Sequence, residues 1–220
     1  MTKIENARGR DPKTGPSGYE RLFGIPALGQ LISKCQAAVI SSGNELETII
    51  EKKITNTKGI AIGKINKEKR VFKNAKKDAN GKFHDVGVDV VIDRDSKIKL
   101  IELKDGDVFD VKKIAGEVES LQFARNFLAA QGKFKKEDIS IHFCSFNQTD
   151  KEHIYRGAKG LLPDGSAMSG KELCDLLGLD YQQIIEERKQ EQPANLEYFL
   201  KELVKIESVK ERLTKLLSIS

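Results

Sequence analysis

The apolar residues of this chain recur at two periods, one typical of helices and one typical of strands. In the N-terminal half, the polar letters SSGN at 41–44 interrupt a helical pattern and predict a break, with Ser42 or Asn44 capping the helix that follows. The letters DRDS at 93–96 separate two apolar runs and predict the turn of a strand hairpin. The elements predicted here are helices over 26–40 and 45–54, and strands over 59–65, 69–73, 87–93 and 97–104.

The C-terminal half adds long helical patterns and one apolar strand. The elements predicted here are a helix over 110–130, a strand over 139–146, a helical segment over 169–191 and an amphipathic helix over 196–217. Strands mixed with long helices predict the α/β class. Residues 1–24 are polar and rich in Gly and Pro, which predicts an N-terminal arm. We expect one main domain over 25–192, then a C-terminal amphipathic helix over 193–220, packed on that domain or at a dimer interface.

Composition narrows the class of protein. The chain has 220 residues, of which 39% are hydrophobic and 32% charged, enough to bury a core and stay soluble. The three cysteines, Cys35, Cys144 and Cys174, are far apart, so a disulfide framework or a structural zinc site is not expected. The N-terminus lacks the apolar segment of a signal peptide, and no run approaches the roughly 20 apolar residues of a membrane span. These features predict a cytoplasmic location.

Positive charge is concentrated in one segment. The net charge is +5, but residues 51–82 hold eleven Lys and Arg against three Asp and Glu. This excess predicts either a solvated lysine-rich loop or a surface that contacts phosphates, with Lys67, Lys69 and Lys73 as candidates. Arg156 and Lys159, in the letters YRGAKG, are further candidates for contact with phosphates or bases, and a plain surface role is the alternative.

Acidic residues interrupt the predicted hairpin where burial is expected. Glu102 and Lys104 are two residues apart, so both point to one face of their strand, and Asp89 lies on the partner strand. Two buried carboxylates held close together repel each other unless a cation lies between them, and Mg²⁺ prefers such oxygen ligands. A lysine beside a metal can orient a water or stabilise negative charge on a phosphate. The pattern therefore indicates phosphodiester hydrolysis.

Asp89 followed by Glu102-Leu103-Lys104 resembles the D…(D/E)xK core of the PD-(D/E)xK nuclease superfamily, with Val88 where the superfamily often has Pro. The resemblance covers about residues 44–146, including the order of predicted elements. The segments SSGNELETIIE and IELKDGDVFDVKKIAGE also resemble parts of type II restriction endonucleases. The implied fold is a restriction-endonuclease-like core, a mixed central sheet flanked by helices, with a helical C-terminal extension.

The resemblance also implies a role for each candidate residue. Asp89 and Glu102 would hold Mg²⁺, with the Leu103 carbonyl as a further ligand, and Lys104 would assist the attacking water. Asp85 is the alternative to Asp89. A glutamate from the first core helix would reach back toward the metal, and Glu47 is the preferred match, with Glu51 one turn later as the rival. Glu47 could instead only cap or solvate its helix.

The implied activity is that of a Mg²⁺-dependent type II restriction endonuclease, which cuts both strands of double-stranded DNA and leaves 5′-phosphate and 3′-hydroxyl ends. The partners would be a second copy of the chain, because one site cuts one strand, and functionally a cognate DNA methyltransferase of the same system. Two alternatives remain open: a junction-resolving or repair nuclease of the same superfamily, and a DNA-binding protein with a vestigial nuclease core.

Overall fold

The structure is a computed structural model that describes residues 3–106 and 110–219. It divides into two compact units, Leu46–Tyr181 and a unit that joins the residues up to Glu45 with those from Gln182 onward. This division rests on contacts within the fold, and the domain boundaries predicted from the sequence stay predictions. Among the described residues, no helix is long and apolar enough to cross a membrane.

The elements follow one another in mixed order. The described helices are α1 (Gly18–Phe23), α2 (Pro26–Lys53), α3 (Val111–Ala130), α4 (Lys151–Gly157), α5 (Gly170–Leu177), α6 (Tyr181–Lys189), α7 (Gln192–Val204) and α8 (Glu207–Leu217). The described strands are β1 (Ile60–Ile62), β2 (Val71–Lys77), β3 (Phe83–Gly87), β4 (Val90–Arg94), β5 (Lys97–Lys104), β6 (Ile139–Ser145) and β7 (Ala167–Ser169).

A mixed sheet forms the centre of the Leu46–Tyr181 unit. In the described part of the chain it contains five strands in the order β1-β4-β5-β6-β7, while β2 and β3 pair in a separate sheet. Strand β4 pairs antiparallel with both β1 and β5, whereas β6 pairs parallel with both β5 and β7. Helix α3 provides the crossover that the parallel pair β5 and β6 requires. The predicted class, α/β with a mixed central sheet flanked by helices, is confirmed.

The predicted hairpin is present as β4 and β5. Arg94 pairs with Lys97, so the loop contains only Asp95 and Ser96, whose φ angles are 52° and 59°. Positive φ at both loop residues is the conformation of a tight two-residue hairpin turn, whose twist matches that of the strands. This turn fixes the register, in which Val90 pairs with Ile101 near the other end of the hairpin.

One buried cluster of the core lies between the sheet and α3. Leu100 and Ile139 of the sheet pack in one buried cluster with Leu121 and Ala124 of α3. Because side chains alternate along a strand, the face of β5 that carries Leu100 also carries Glu102 and Lys104. The two polar residues therefore lie on the helix-covered face of the sheet, at the carboxyl end of β5.

The other unit joins the N-terminal residues to the C-terminal helices. The backbone N–H of Ile4 donates to Oδ1 of Asn195 at 2.8 Å, and Nζ of Lys34 donates to the Tyr198 hydroxyl at 2.9 Å. Pro193 lies in the first turn of α7, where a missing N–H is tolerated.

Two sequence predictions of helix bounds were wrong. Helix α2 continues through SSGN, because Leu46 and Ile50 are fully buried beyond it and their packing outweighs the roughly 1 kcal/mol preference against glycine. The helix predicted over 196–217 is two helices, because Ile206 is extended and occupies the N-cap position of α8. The helical pattern over 169–191 is present as α5 and α6, with Gly178 ending α5 at φ 71°.

Candidate active site

Asp89 and Glu102 come together because of the hairpin register. Asp89 directly precedes β4, and the pairing of Val90 with Ile101, continued by one residue, places Asp89 opposite Glu102. Directly opposite residues in antiparallel strands have Cβ atoms roughly 5 Å apart. Oδ2 of Asp89 accepts a hydrogen bond from the backbone N–H of Leu103 at 2.9 Å, which ties this carboxylate to β5.

Both carboxylates are largely buried, and burial raises the pKa of each. Burial raises the pKa of Asp89, against the lowering effect of the Leu103 N–H and of the charges on Lys104 and Arg70. The pKa of Glu102 rises from 4.5 to about 7, first because of burial and next because of the charge on Asp89. The Glu102 side chain is only 15% exposed. The pair therefore carries electrostatic repulsion that a cation would relieve.

Lys104 lies between two glutamates. Its Nζ donates to Oε1 of Glu102 at 2.7 Å and to Oε1 of Glu117 at 2.7 Å. Burial alone would lower the pKa of Lys104, but the hydrogen bonds and charges of the two glutamates outweigh it and the pKa is raised. The ammonium is thus kept charged and held from two sides.

The sequence prediction did not include Glu117. It projects from α3, whose Ile114, Leu121 and Ala124 are buried. Glu117 is three residues after Ile114 and four before Leu121, so it occupies a position of the apolar stripe of α3. An acid in such a stripe is the signal that could have identified it.

Glu47 lies on α2 and is bound to the turn that follows β1. Its Oε1 accepts from the backbone N–H of Gly63 at 2.8 Å and lies 3.3 Å from Nη2 of Arg70. The rival Glu51 accepts from the N–H of Lys64 at 3.1 Å, in the same turn. Both candidate glutamates are therefore placed at this turn, and of the two it is Glu47 that forms an ion pair with Arg70.

Arg70 connects that turn to the start of β4. Its Nε donates to the Gly63 carbonyl at 3.0 Å, and its Nη1 donates to the Val88 carbonyl at 3.2 Å, directly before Asp89. The sequence marked this residue only as one positive charge among eleven, because its partners are brought to it by tertiary folding. Arg70 links Glu47 to the backbone that carries Asp89.

The alternative acid, Asp85, has different surroundings. It lies in β3 of the separate two-stranded sheet, where it accepts from the N–H of Asn74 at 3.0 Å and lies 3.7 Å from Nζ of Lys73. Its side chain is 45% exposed. These contacts favour Asp89 over Asp85 as the partner of Glu102.

The predicted DNA-contacting residues lie outside the carboxylate cluster, which consists of Asp89, Glu102 and Glu117. Lys67 and Lys69 are exposed on a short 3₁₀ helix before β2, and the Lys73 side chain is 78% exposed in β2. Arg156 is exposed on α4, and Lys159 follows that helix with φ 50°. All five side chains are exposed and therefore accessible to a partner.

The cluster can be tested for its fit to a metal. Among the described residues, no group of three or more His, Cys, Asp and Glu side chains is arranged to hold one. Asp89 and Glu102 nevertheless face each other, and Mg²⁺ commonly uses one or two protein carboxylates, with waters and substrate phosphate as its other ligands. Two neighbouring carboxylates repel each other, a divalent cation would relieve that repulsion, and carboxylate oxygens are ligands of the kind that Mg²⁺ prefers.

The full length of the chain is similar to a known nuclease. The type II restriction enzyme HhaII of Haemophilus parahaemolyticus is 38% identical over 231 aligned residues, which cover 98% of this chain and 99% of HhaII. No protein-family model matches the chain. No solved structure matches it either.

Proposed function

The chain belongs to the family of type II restriction enzymes that includes HhaII, and we propose that it is a Mg²⁺-dependent endonuclease that cuts both strands of DNA at a short specific site. One observation carries the assignment of the site: Asp89 and Glu102 face each other across a hairpin, with the Lys104 ammonium bonded to Glu102. We assign the sheet and its flanking helices to the restriction-endonuclease-like fold on the same grounds.

Asp89 and Glu102 would hold Mg²⁺, with the Leu103 carbonyl as a third protein ligand. The bound ion would supply a Lewis acid for the scissile phosphate and a more acidic water. Asp89 is positioned for this task by the Leu103 N–H, which fixes the carboxylate against β5. Arg70 holds the backbone of Val88 and so helps to fix the residue that follows it.

Lys104 would act as a hydrogen-bond donor. Its ammonium, held by Glu102 and Glu117, could donate to the attacking water or to a phosphate oxygen and offset the charge that develops there. Glu47 takes a supporting part in this proposal, since it binds Arg70 and the Gly63 turn.

The DNA backbone would be met by the exposed cations. Lys67, Lys69 and Lys73 lie in the segment with the highest positive charge, and Arg156 and Lys159 lie beyond β6. Contacts with phosphates give affinity without sequence preference and depend strongly on salt.

A second copy of the chain would cut the second strand. One set of acids serves one strand, and a two-fold dimer matches the symmetry of a palindromic duplex. Helix α7 offers an apolar surface for such a contact, because Leu196, Leu200 and Val204 are 59%, 49% and 46% exposed at four-residue spacing. A cognate DNA methyltransferase would protect the host genome, as a functional partner of the enzyme.

Digestion of a sequenced plasmid tests this function. With Mg²⁺ the protein should give discrete fragments whose mapped ends share one short sequence, and EDTA should abolish cleavage. Cuts only at branched DNA would identify a junction-resolving enzyme instead. Binding to DNA without any cleavage would identify a protein with a vestigial site.

A further inference from the structure

We propose that Glu117 is a positioning residue that retains the Lys104 ammonium in the site once Glu102 is engaged by the metal. This inference rests on the proposed function and deepens it. Glu117 is contributed by α3, outside the hairpin that carries the D…ExK residues, and it would act on the reaction only through Lys104.

Lys104 has two partners at equal distance, but only one of them, Glu102, is a proposed metal ligand. Both Oε1 atoms lie 2.7 Å from Nζ, one on Glu102 and one on Glu117. Glu102 faces Asp89 and is the proposed metal ligand, so a bound cation competes with the ammonium for its oxygens. The carboxylate of Glu117 is then the anchor left to hold Nζ beside the substrate.

The position of Glu117 on its helix argues against a surface role. Its side chain is 23% exposed, and its neighbours along the stripe, Ile114 and Leu121, are 1% and 2% exposed. An acid that shares a helix face with buried apolar residues has a desolvation cost unless it is paired. Glu117 accepts a hydrogen bond from Lys104, and this pairing accounts for the placement.

The local charges agree with this role. Arg70 is engaged by Glu47, whereas the Lys104 ammonium is shared by Glu102 and Glu117. Removing the charge of Glu117 would leave Lys104 to pair with Glu102 alone, where the ammonium would compete with a metal for that carboxylate.

The test compares Glu117→Gln with Glu119→Gln. Glu119 lies on the same helix and also bonds a lysine, Lys76 at 2.6 Å, but its side chain is 55% exposed. We expect Glu117→Gln to lower the single-turnover cleavage rate and the Ca²⁺ affinity measured by calorimetry, each by about 10- to 100-fold, as supporting residues of metal sites commonly do. Affinity for DNA should change less than threefold. Glu119→Gln should match the wild type in all three measurements.

A double-mutant cycle separates positioning from a merely structural role. If Glu117 acts through Lys104, Glu117→Gln should have little further effect on the rate in a Lys104→Ala background. The full rate loss in that background, or a Glu117→Gln rate within twofold of wild type, would overturn the proposal. Should Glu117→Gln not fold, Glu117→Asp replaces it: a lower rate with near-normal Ca²⁺ affinity supports the proposal, and an unchanged rate contradicts it. A wild-type protein that cuts no DNA refutes the proposed function instead.

Discussion

Replacing Glu102 with Gln should stabilise the metal-free protein at alkaline pH while it abolishes cleavage. The pKa of Glu102 is 4.5 in its ordinary state and about 7 in the folded protein. Between these values the unfolded chain has lost its proton while the folded chain keeps it. Stability therefore falls as pH rises from 4.5 to about 7, and above 7 the deficit is constant.

The size of the effect follows from the same two values. At about 1.4 kcal/mol for each pH unit, the charged Glu102 costs the folded state about 3 kcal/mol at pH 8. Glutamine resembles the protonated acid, so the variant lacks this unfavourable free energy of the charged side chain. For a chain of this length the gain corresponds to a rise in Tm of roughly 6–12 °C.

Urea and thermal unfolding in EDTA would measure this difference in stability between Glu102→Gln and the wild type. We expect Glu102→Gln to exceed the wild type in free energy of unfolding at pH 8 and to equal it near pH 4.5. Glu119→Gln, an exposed acid on α3, is the control and should change little at either pH. A Glu102→Gln protein less stable than wild type at pH 8 would refute the claim that this carboxylate is held under repulsion.

Three further outcomes follow from the structure. Replacing Lys67, Lys69 and Lys73 with Gln should weaken binding to all duplexes about equally, and the log–log salt slope should flatten by roughly one unit per lost contact, whereas an unchanged slope would mark a solvated loop. Replacing Arg70 with Ala should lower the free energy of unfolding by about 1–3 kcal/mol, measured in urea, because the Gly63 and Val88 carbonyls lose their donor. Light scattering with a short cognate duplex should show two chains per duplex; one chain that nicks the strands in succession would contradict the dimer.

Local patterns predicted the parts of the site that lie on the hairpin. Alternation along β5 placed Glu102 and Lys104 on one face, and the short turn at 95–96 set the register that brings Asp89 opposite Glu102. Both relations join residues that are close together in the chain, so the local sequence pattern is enough to predict them.

The remaining parts of the site depend on tertiary packing. Glu117 reaches Lys104 because α3 packs against the sheet, and Arg70 reaches Val88 because the β2–β3 pairing, in which Val71 lies opposite Gly87, continues by one residue beyond an irregular register. Spacing along the chain does not specify either approach. The missed continuation of α2 through SSGN has the same origin, since burial of Leu46 and Ile50 outweighs the local signals for a break.

In the proposed nuclease centre, Asp89 and not Asp85 is the partner of Glu102. The most direct measurement compares Asp89→Asn with Asp85→Asn in single-turnover cleavage of a cognate duplex with Mg²⁺, alongside binding to the same duplex in Ca²⁺. Asp89→Asn should bind DNA and lose cleavage by several orders of magnitude, and Asp85→Asn should cut at close to the wild-type rate. Near-normal cleavage by Asp89→Asn, with cleavage lost in Asp85→Asn, would contradict the account.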